Sequence, residues 1–319
     1  MSRVKAAFEN FAREDGAKLP LPGSGDTWRR FEVLASCAAK DLSVGRLAEG
    51  HVDALAILAE AGVSPQREHA TYGVWAARSR GAETMATPVQ GGWRLSGRKS
   101  FCSGSGMIQR ALVTADAPDG YRMFDIDIND HVTSTCPGSW PAVGMADSAS
   151  ETLVFNGHIV PNTQVVGSPG FYTERPGFWF GAAGVAACWF GGAVGLVNNL
   201  IKSLDPEPGE HVLTDVGLAV SRVGAMRDVL KSTAHGIDAD PEDARGQARL
   251  RALAARQTVH DSSIEVLNRI AAAGGARPLC HDRDQGQRAA DLFVYLAQHH
   301  GAADAAELGR LALRGRSWG

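Results

Sequence analysis

Four places in the 319-residue chain carry side chains whose types and spacing could do chemistry. The first is the stretch Gly91–Ala115, in which Phe101, Cys102 and Ser103 lead into the knuckle Ser103-Gly104-Ser105-Gly106. Glycine lets another backbone or a flat ligand come close, and the N–H groups and hydroxyls of the knuckle can then face it. An ordinary hairpin turn has the same composition. The second is Glu174-Arg175, an acid and a base ahead of a long apolar segment. Its plain reading is a helix N-terminal acid favoured by the dipole, with Arg175 as surface partner. The third is His299: at helical spacing, residues 292, 296, 299 and 303 share a face, so His299 looks the same way as Leu292 and Leu296. A core or interface histidine with one satisfied nitrogen fits that placement. The fourth, His281-Asp282-Arg283-Asp284, offers metal-ligand types but sits at a helix start, where N-capping is the expected role. No metal site is assigned. No Walker motif occurs, Gly104-Ser105-Gly106-Met107 lacks the third glycine and the strand–helix setting of a dinucleotide fingerprint, and no spacing argues for a Ser–His–Asp arrangement.

Three kinds of element must position these residues. Residues 1–68 read as short helices (Val4–Glu14, Thr27–Lys40 and Gly50–Ala61), with Asp26-Thr27 as an N-cap. Residues 69–168 switch to period two. Strands are expected at Tyr72–Ala76, Thr84–Val89, Trp93–Ser96, Lys99–Cys102, Ala111–Ala115, Tyr121–Ile128, His131–Cys136, Thr152–Phe155 and Gln164–Val166, with Gly97 breaking a strand and hairpin turns at Asp119-Gly120 and Asn129-Asp130. Many short strands suggest a barrel or sandwich. Residues 169–319 read as four long helices, Pro176–Leu204, His211–His235, Asp240–Ala273 and Gln285–Leu313, joined as an antiparallel bundle. The fold class is thus α+β: a short N-terminal helical region, a central β-domain and a C-terminal four-helix bundle.

Composition excludes several function classes. With 44% hydrophobic and 21% charged residues the chain reads as a globular protein, and a net charge of −3 without a basic run gives nothing for nucleic acid to bind. Five scattered cysteines (37, 102, 136, 188 and 280) and a charged beginning without a signal peptide point to a cytoplasmic setting. Gly177–Ile201 has no charge and is long enough to span a bilayer, but its six glycines and paired asparagines favour a buried helix over a membrane span.

Taken together, GRKSFCSGS at 97–105, Trp140-Pro-Ala-Val-Gly-Met145 with Thr152–Phe155 and Val160-Pro161, and Phe171-Tyr-Thr-Glu-Arg-Pro176 resemble the acyl-CoA dehydrogenase family of flavoproteins. The resemblance covers about residues 45–313. It implies FAD as cofactor, an acyl-CoA or other acyl thioester as substrate, an electron-transfer partner and a homodimer or homotetramer. It places Phe101 on the flavin ring, the Ser103 hydroxyl at the reactive flavin nitrogen, backbone N–H groups around Cys102 at the flavin edge, Trp75 near the pyrimidine edge, and Gly274-Gly275 where the cofactor approaches a bundle helix. Glu174 takes the place of the base that removes an α-proton before hydride transfer, and Arg175 that of a residue lining the acyl pocket.

Departures from the family shape the alternatives. The E-P-x-x-G-S-D-like run is absent, the N-terminal helical part is short, and Asp205-Pro-Glu-Pro-Gly-Glu-His211 stands where an R-x-x-F-G motif clamps FAD. His299 stands at or beside the commonest position of the catalytic Glu. An apolar pocket raises a carboxyl pKa toward neutrality and makes it a usable base, whereas it lowers that of a histidine. His299 therefore fits better in the flavin monooxygenases that share this fold. The alternatives to a dehydrogenase are such a monooxygenase and a non-catalytic homologue acting as a binding or assembly subunit.

Overall fold

A computed structural model describes residues 2–128, 133–275 and 277–315. The expected turn at Asn129-Asp130 and the first residues of the strand at His131 lie outside the described residues.

The chain divides into two compact units. The first comprises residues 1–19, 46–142 and 146–178; the second comprises residues 20–45, 143–145 and 179–319. Helices α3 (Leu42–Glu60) and α5 (Gly177–Ser203) contribute residues to both sets.

The first unit holds α1 (Arg3–Glu14), most of α3, and strands β1 (Tyr72–Trp75), β2 (Thr84–Val89), β3 (Gly92–Cys102), β4 (Arg110–Ala117), β5 (Gly120–Asp127), β6 (Thr133–Thr135), β7 (Glu151–Pro161) and β8 (Val165–Val166), followed by the single turn α4 (Phe171–Glu174). They form one sheet in the order β6-β7-β3-β2-β4-β5-β8, with β1 running parallel to β4. Gly97 does not break a strand as expected. It sits at φ +106° inside the continuous β3, where a side chain would collide with the Glu83 carbonyl. The register against β7 shifts between Leu95 and Ser96 and again between Lys99 and Cys102, so β3 is bulged twice. Strand β7 runs on to Pro161, past the expected Phe155. Ile57 and Leu58 of α3 pack on Tyr72, Leu112 and Met123 of the sheet and are nearly inaccessible to solvent, giving this unit its core.

The second unit holds α2 (Thr27–Lys40), α5 from Trp179 on, α6 (Glu210–Asp238), α7 (Ala248–Gly274), α8 (Arg277–Cys280), α9 (Arg283–Leu296) and α10 (Ala302–Gly315). Among the described residues α5 alone is long and apolar enough to cross a membrane, and 72% of its most apolar window is buried within the protein. Its glycines serve packing: a side chain at Gly191 or Gly195 would strike the backbone carbonyls of Ala35 and Ala39. Helix α3 begins at Leu42, eight residues before the expected start, because the Asp41 carboxylate accepts the Ser43 and Val44 amides at 3.0 and 3.1 Å. Asp26 does not cap α2; Asp238 accepts the Thr27 amide at 3.0 Å and the Thr27 hydroxyl at 2.6 Å instead. Helix α7 starts at Ala248, not Asp240, since Asp240 and Asp243 spend their carboxylates on the amides of residues 244, 245, 247 and 248. The helix expected over Gln285–Leu313 is broken at 297–301, with Gly301 at φ +52° between α9 and α10.

Candidate functional site

The end of β3 carries an aromatic ring in an unusual position. Between Lys99 and Cys102 the bulge puts Phe101 at φ +59° and leaves its side chain 53% exposed, with the Trp140 ring edge-on at 6.3 Å. A bulky residue in the left-handed region costs free energy and is found where function or surroundings demand it. Cys102 takes the opposite face: its side chain is fully buried, its Sγ donates to the Lys99 carbonyl at 3.1 Å, and burial pushes its thiol pKa well up. Any part Cys102 plays toward a ligand falls to its backbone.

Beyond it lies a row of hydroxyls. Ser103 Oγ is 2.8 Å from Ser150 Oγ, which is 2.8 Å from Ser148 Oγ, and the three residues are buried. The knuckle is pinned from both sides. The Gly104 and Ser105 amides donate to the Ser148 and Ala149 carbonyls at 2.8 and 3.2 Å, and the Trp75 indole Nε1 donates to the Ser103 carbonyl at 3.1 Å. Trp75 is 1% exposed, so it braces the knuckle from within the unit rather than offering its ring to a ligand.

Lys99 was not singled out by the sequence, which gives no sign that this lysine is interior. Its side chain is buried and Nζ donates to Thr114 Oγ1 at 3.0 Å. Burial lowers its pKa from 10.5 to about 8, against the pull of Cys102 and Asp116.

Glu174 ends the one-turn helix α4 and is exposed, its carboxylate folded back over Gly170. It lies open to solvent rather than in an enclosed pocket. Arg175 beside it is buried and pairs through Nη1 with Glu60 Oε2 at 2.6 Å, while Glu60 Oε1 accepts the Gly177 amide at 3.2 Å. Arg175 thus ties the start of α5 to the end of α3.

In the second unit, Gly274 closes α7 and Gly275 lies at φ +58°, ψ −145°, a conformation open essentially to glycine. This pair ends a helix. Asp282 caps α9, accepting the Gln285 amide at 3.1 Å, in keeping with the capping role expected there. Among the described residues no group of three or more His, Cys, Asp and Glu side chains is arranged to hold a metal ion.

His299 lies in the break between α9 and α10, on a turn closed by its amide to the Leu296 carbonyl at 2.9 Å. The helical-face reasoning therefore does not apply, yet the side chain is only 1% exposed. Its ring lies 4.5 Å from that of His260 and edge-on to Trp189 at 6.2 Å, and the Arg256 guanidinium covers Trp189 at 4.5 Å. Nε2 is 2.9 Å from Gln257 Oε1; Nδ1 makes no hydrogen bond, although an Asp304 carboxylate oxygen stands 3.4 Å away. Burial, then His260 and Arg256, lower the His299 pKa, with Asp304 and Asp261 opposing. His260 and Gln257 went unnoticed in the sequence. They lie about four turns of α7 before its end, and only the fold brings them to a residue some forty positions away.

No protein-family model matches the chain, and no curated protein matches it. Solved structures do. TdsC from Paenibacillus sp. A11-2, solved with FMN and indole, is 18% identical, with 99% of this chain and 96% of TdsC covered and a TM-score of 0.81; TdsC is a dibenzothiophene monooxygenase. The methanesulfinate monooxygenase MsuC from Pseudomonas fluorescens is 16% identical, covering 100% of this chain and 98% of its own, with a TM-score of 0.80. KijD3, solved with FMN and a dTDP-linked amino-keto sugar, is 19% identical, covering 98% and 86%, with a TM-score of 0.79. At these identities the likeness speaks for the fold alone, and that fold, a sheet with a helical bundle-like part, is the acyl-CoA dehydrogenase-like fold of flavin monooxygenases.

Proposed function

We propose that this protein is a flavin-dependent monooxygenase that works with FMN supplied in reduced form by a partner reductase. The observation that carries the reading is His299: a buried imidazole whose Nε2 is held by a side-chain amide and whose Nδ1 makes no hydrogen bond. The whole-length likeness to FMN-binding structures supports it by analogy of fold. The acyl thioester dehydrogenase expected from the sequence resemblance needs a buried carboxylate, and Glu174 is exposed.

The first unit fits the ring of a flavin. Phe101 is an exposed aromatic held in a strained backbone, and the hydroxyl row starting at Ser103 supplies donors and acceptors beside it. The segment that stands in place of the FAD clamp carries exposed Asp205, Glu207 and Glu210, which repel a second phosphate. This favours FMN over FAD. When bound, reduced flavin supplies the electron pair with which one atom of O2 enters the substrate while the other leaves as water. His299 holds a proton at Nε2 and offers a lone pair at Nδ1, so it can take a proton from a substrate hydroxyl or pass one to departing oxygen. Trp189, fully buried, stands edge-on to its ring, and Tyr295, also buried, packs edge-on to Trp189, so that this side of the imidazole is kept from water.

The test is direct. Purified protein is titrated separately with FMN and FAD by fluorescence quenching, then supplied with NADH and a flavin reductase while oxygen uptake is followed. FMN is expected to bind more tightly, and the protein to change how reduced FMN consumes oxygen. Anaerobic bleaching of the bound flavin by an acyl-CoA would establish the dehydrogenase instead. Failure to bind either flavin would leave a non-catalytic homologue.

A further inference from the structure

The corner of the sheet near Phe101 carries two arginines without acids to match. Arg98 of β3 is turned to solvent, as Phe101 is, whereas Lys99 and Cys102 are buried on the other face. Arg98 stands opposite Val154 of β7, and its amide donates to the Glu83 carbonyl at 2.9 Å. That bond sets Arg98 beside the connection between β1 and β2. There the Ala82 amide closes a turn on the Ser79 carbonyl at 3.0 Å, and the turn carries the exposed Arg80. The acids of this corner are engaged with other groups. Glu83 accepts the Gly81 amide at 2.9 Å, and Asp116 pairs at 2.9 Å with Arg78, whose guanidinium lies over the Tyr121 ring. Among the described residues the side chains of Arg80 and Arg98 have no ion-pair partner.

We propose that Arg80 and Arg98 together grip a terminal phosphate monoester, that of FMN, and so select FMN over riboflavin and FAD. The proposal rests on the reading that places a flavin ring at Phe101. Three residues of strand separate Arg98 from Phe101, about 10 Å, a span that an extended ribityl chain covers between ring and phosphate. A phosphate monoester carries about 1.5 to 2 negative charges at pH 7 and three strong acceptor oxygens. A guanidinium presents its donors as a fork that fits two of those oxygens at once, and two guanidiniums match the charge. In FAD the same phosphate is a diester with a single charge, so the pair of arginines gains less from it. Arg94 of β3 is also exposed and without an ion-pair partner among the described residues, but it lies seven residues from Phe101, roughly 23 Å along the strand. It shares the charge and the exposure of Arg98 without the placement.

The test titrates the full chain with FMN, riboflavin and FAD by fluorescence quenching. Wild type is expected to bind FMN more tightly than the other two, and to lose that preference over riboflavin as pH falls through about 6, where the monoester takes up a proton. Arg80→Gln and Arg98→Gln are each expected to weaken FMN binding about tenfold and to leave riboflavin binding unchanged, which also reports that the variants are folded. Arg94→Gln is expected to change neither. Riboflavin bound as tightly as FMN by wild type overturns the anchor while leaving the flavin reading in place. So do arginine variants without effect, and variants that weaken riboflavin and FMN alike. An Arg94→Gln variant that loses as much FMN affinity as Arg98→Gln shows a diffuse field in place of an anchor and overturns the assignment. Binding of no flavin at all overturns the flavin reading and the anchor with it.

Discussion

The side chain of Gln257 fixes the tautomer of His299. Gln257 Nε2 donates to Asp261 Oδ2 at 2.9 Å, which turns its carbonyl Oε1 to His299 Nε2, also at 2.9 Å. A carbonyl oxygen can only accept, so Nε2 carries the proton and Nδ1 is left with its lone pair. Nδ1 is the atom without a hydrogen bond. Asp261 also accepts from His260 Nδ1 at 2.9 Å, so one carboxylate orients both members of this pair of neighbouring rings.

This relationship sets a pH dependence. The folded His299 pKa lies below the ordinary 6.5. Between that value and 6.5 the unfolded chain binds a proton that the folded chain does not, so stability falls as pH drops through this window and levels off below the folded pKa. NMR titration of labelled histidines is expected to place the His299 midpoint below that of an exposed histidine. Gln257→Glu puts a negative charge beside Nε2 and is expected to raise the proton affinity of the imidazole about tenfold. An unchanged midpoint would remove Gln257 from the assignment.

His299→Ala is expected to lower oxygen-coupled turnover by a factor on the order of 10^2–10^4, the usual worth of a positioned acid or base. Glu174→Gln is expected to leave it unchanged, because that carboxylate is exposed and folded over Gly170. The reverse outcome would restore Glu174 as the proton-handling group.

Phe101 can be separated from its backbone strain. Phe101→Gly removes the ring and relieves φ +59° together, whereas Phe101→Ala removes the ring alone. Because the ring is half exposed, the glycine variant is expected to be more stable than the alanine variant by about 1 kcal/mol in chemical denaturation. Both are expected to lose flavin affinity alike, by roughly tenfold, if the ring is the contact. Wild-type FMN binding in both variants would deny Phe101 that role.

Lys99 makes the opposite test on the alkaline side. Its folded pKa of about 8 is below the unfolded 10.5, so burying its charge destabilises the fold fully below pH 8, and the deficit closes as pH rises from 8 to 10.5. Lys99→Met is expected to stabilise the protein at pH 7 by on the order of 2 kcal/mol, with Thr114 keeping Tyr121 as a hydrogen-bond partner. Thermal unfolding midpoints of the two proteins should converge near pH 10. A constant difference across that range would show that Lys99 does not titrate there.

Local pattern was enough to mark most strands. Thr84–Val89 and Thr27–Lys40 have the bounds their alternation and periodicity indicate, because the local pattern marks them. At α2 the identity of the cap was not legible, since Asp238 reaches it across 211 positions; at α3 the boundary itself was not, since an unremarked acid, Asp41, starts the helix early. The break after Leu296 was missed because Ala297–His300 continues a helical pattern and only Gly301, a single residue, resists it.

For the site, residue types along the chain told which side chains were available: an aromatic and a serine at a glycine-rich strand end, an acid–base pair before a buried helix, and a histidine late in the chain. Tertiary structure decided what each could do. Glu60, 115 positions away from Arg175, turned that arginine into a brace, and Glu174 was left exposed to solvent. A strand bulge turned Phe101 outward and Cys102 inward. Gln257 and His260, placed by α7, gave His299 its tautomer and its lowered pKa. Residue type fixes which protons and rings exist, but burial and hydrogen-bond partners fix their energies, and those come from residues distant in the chain.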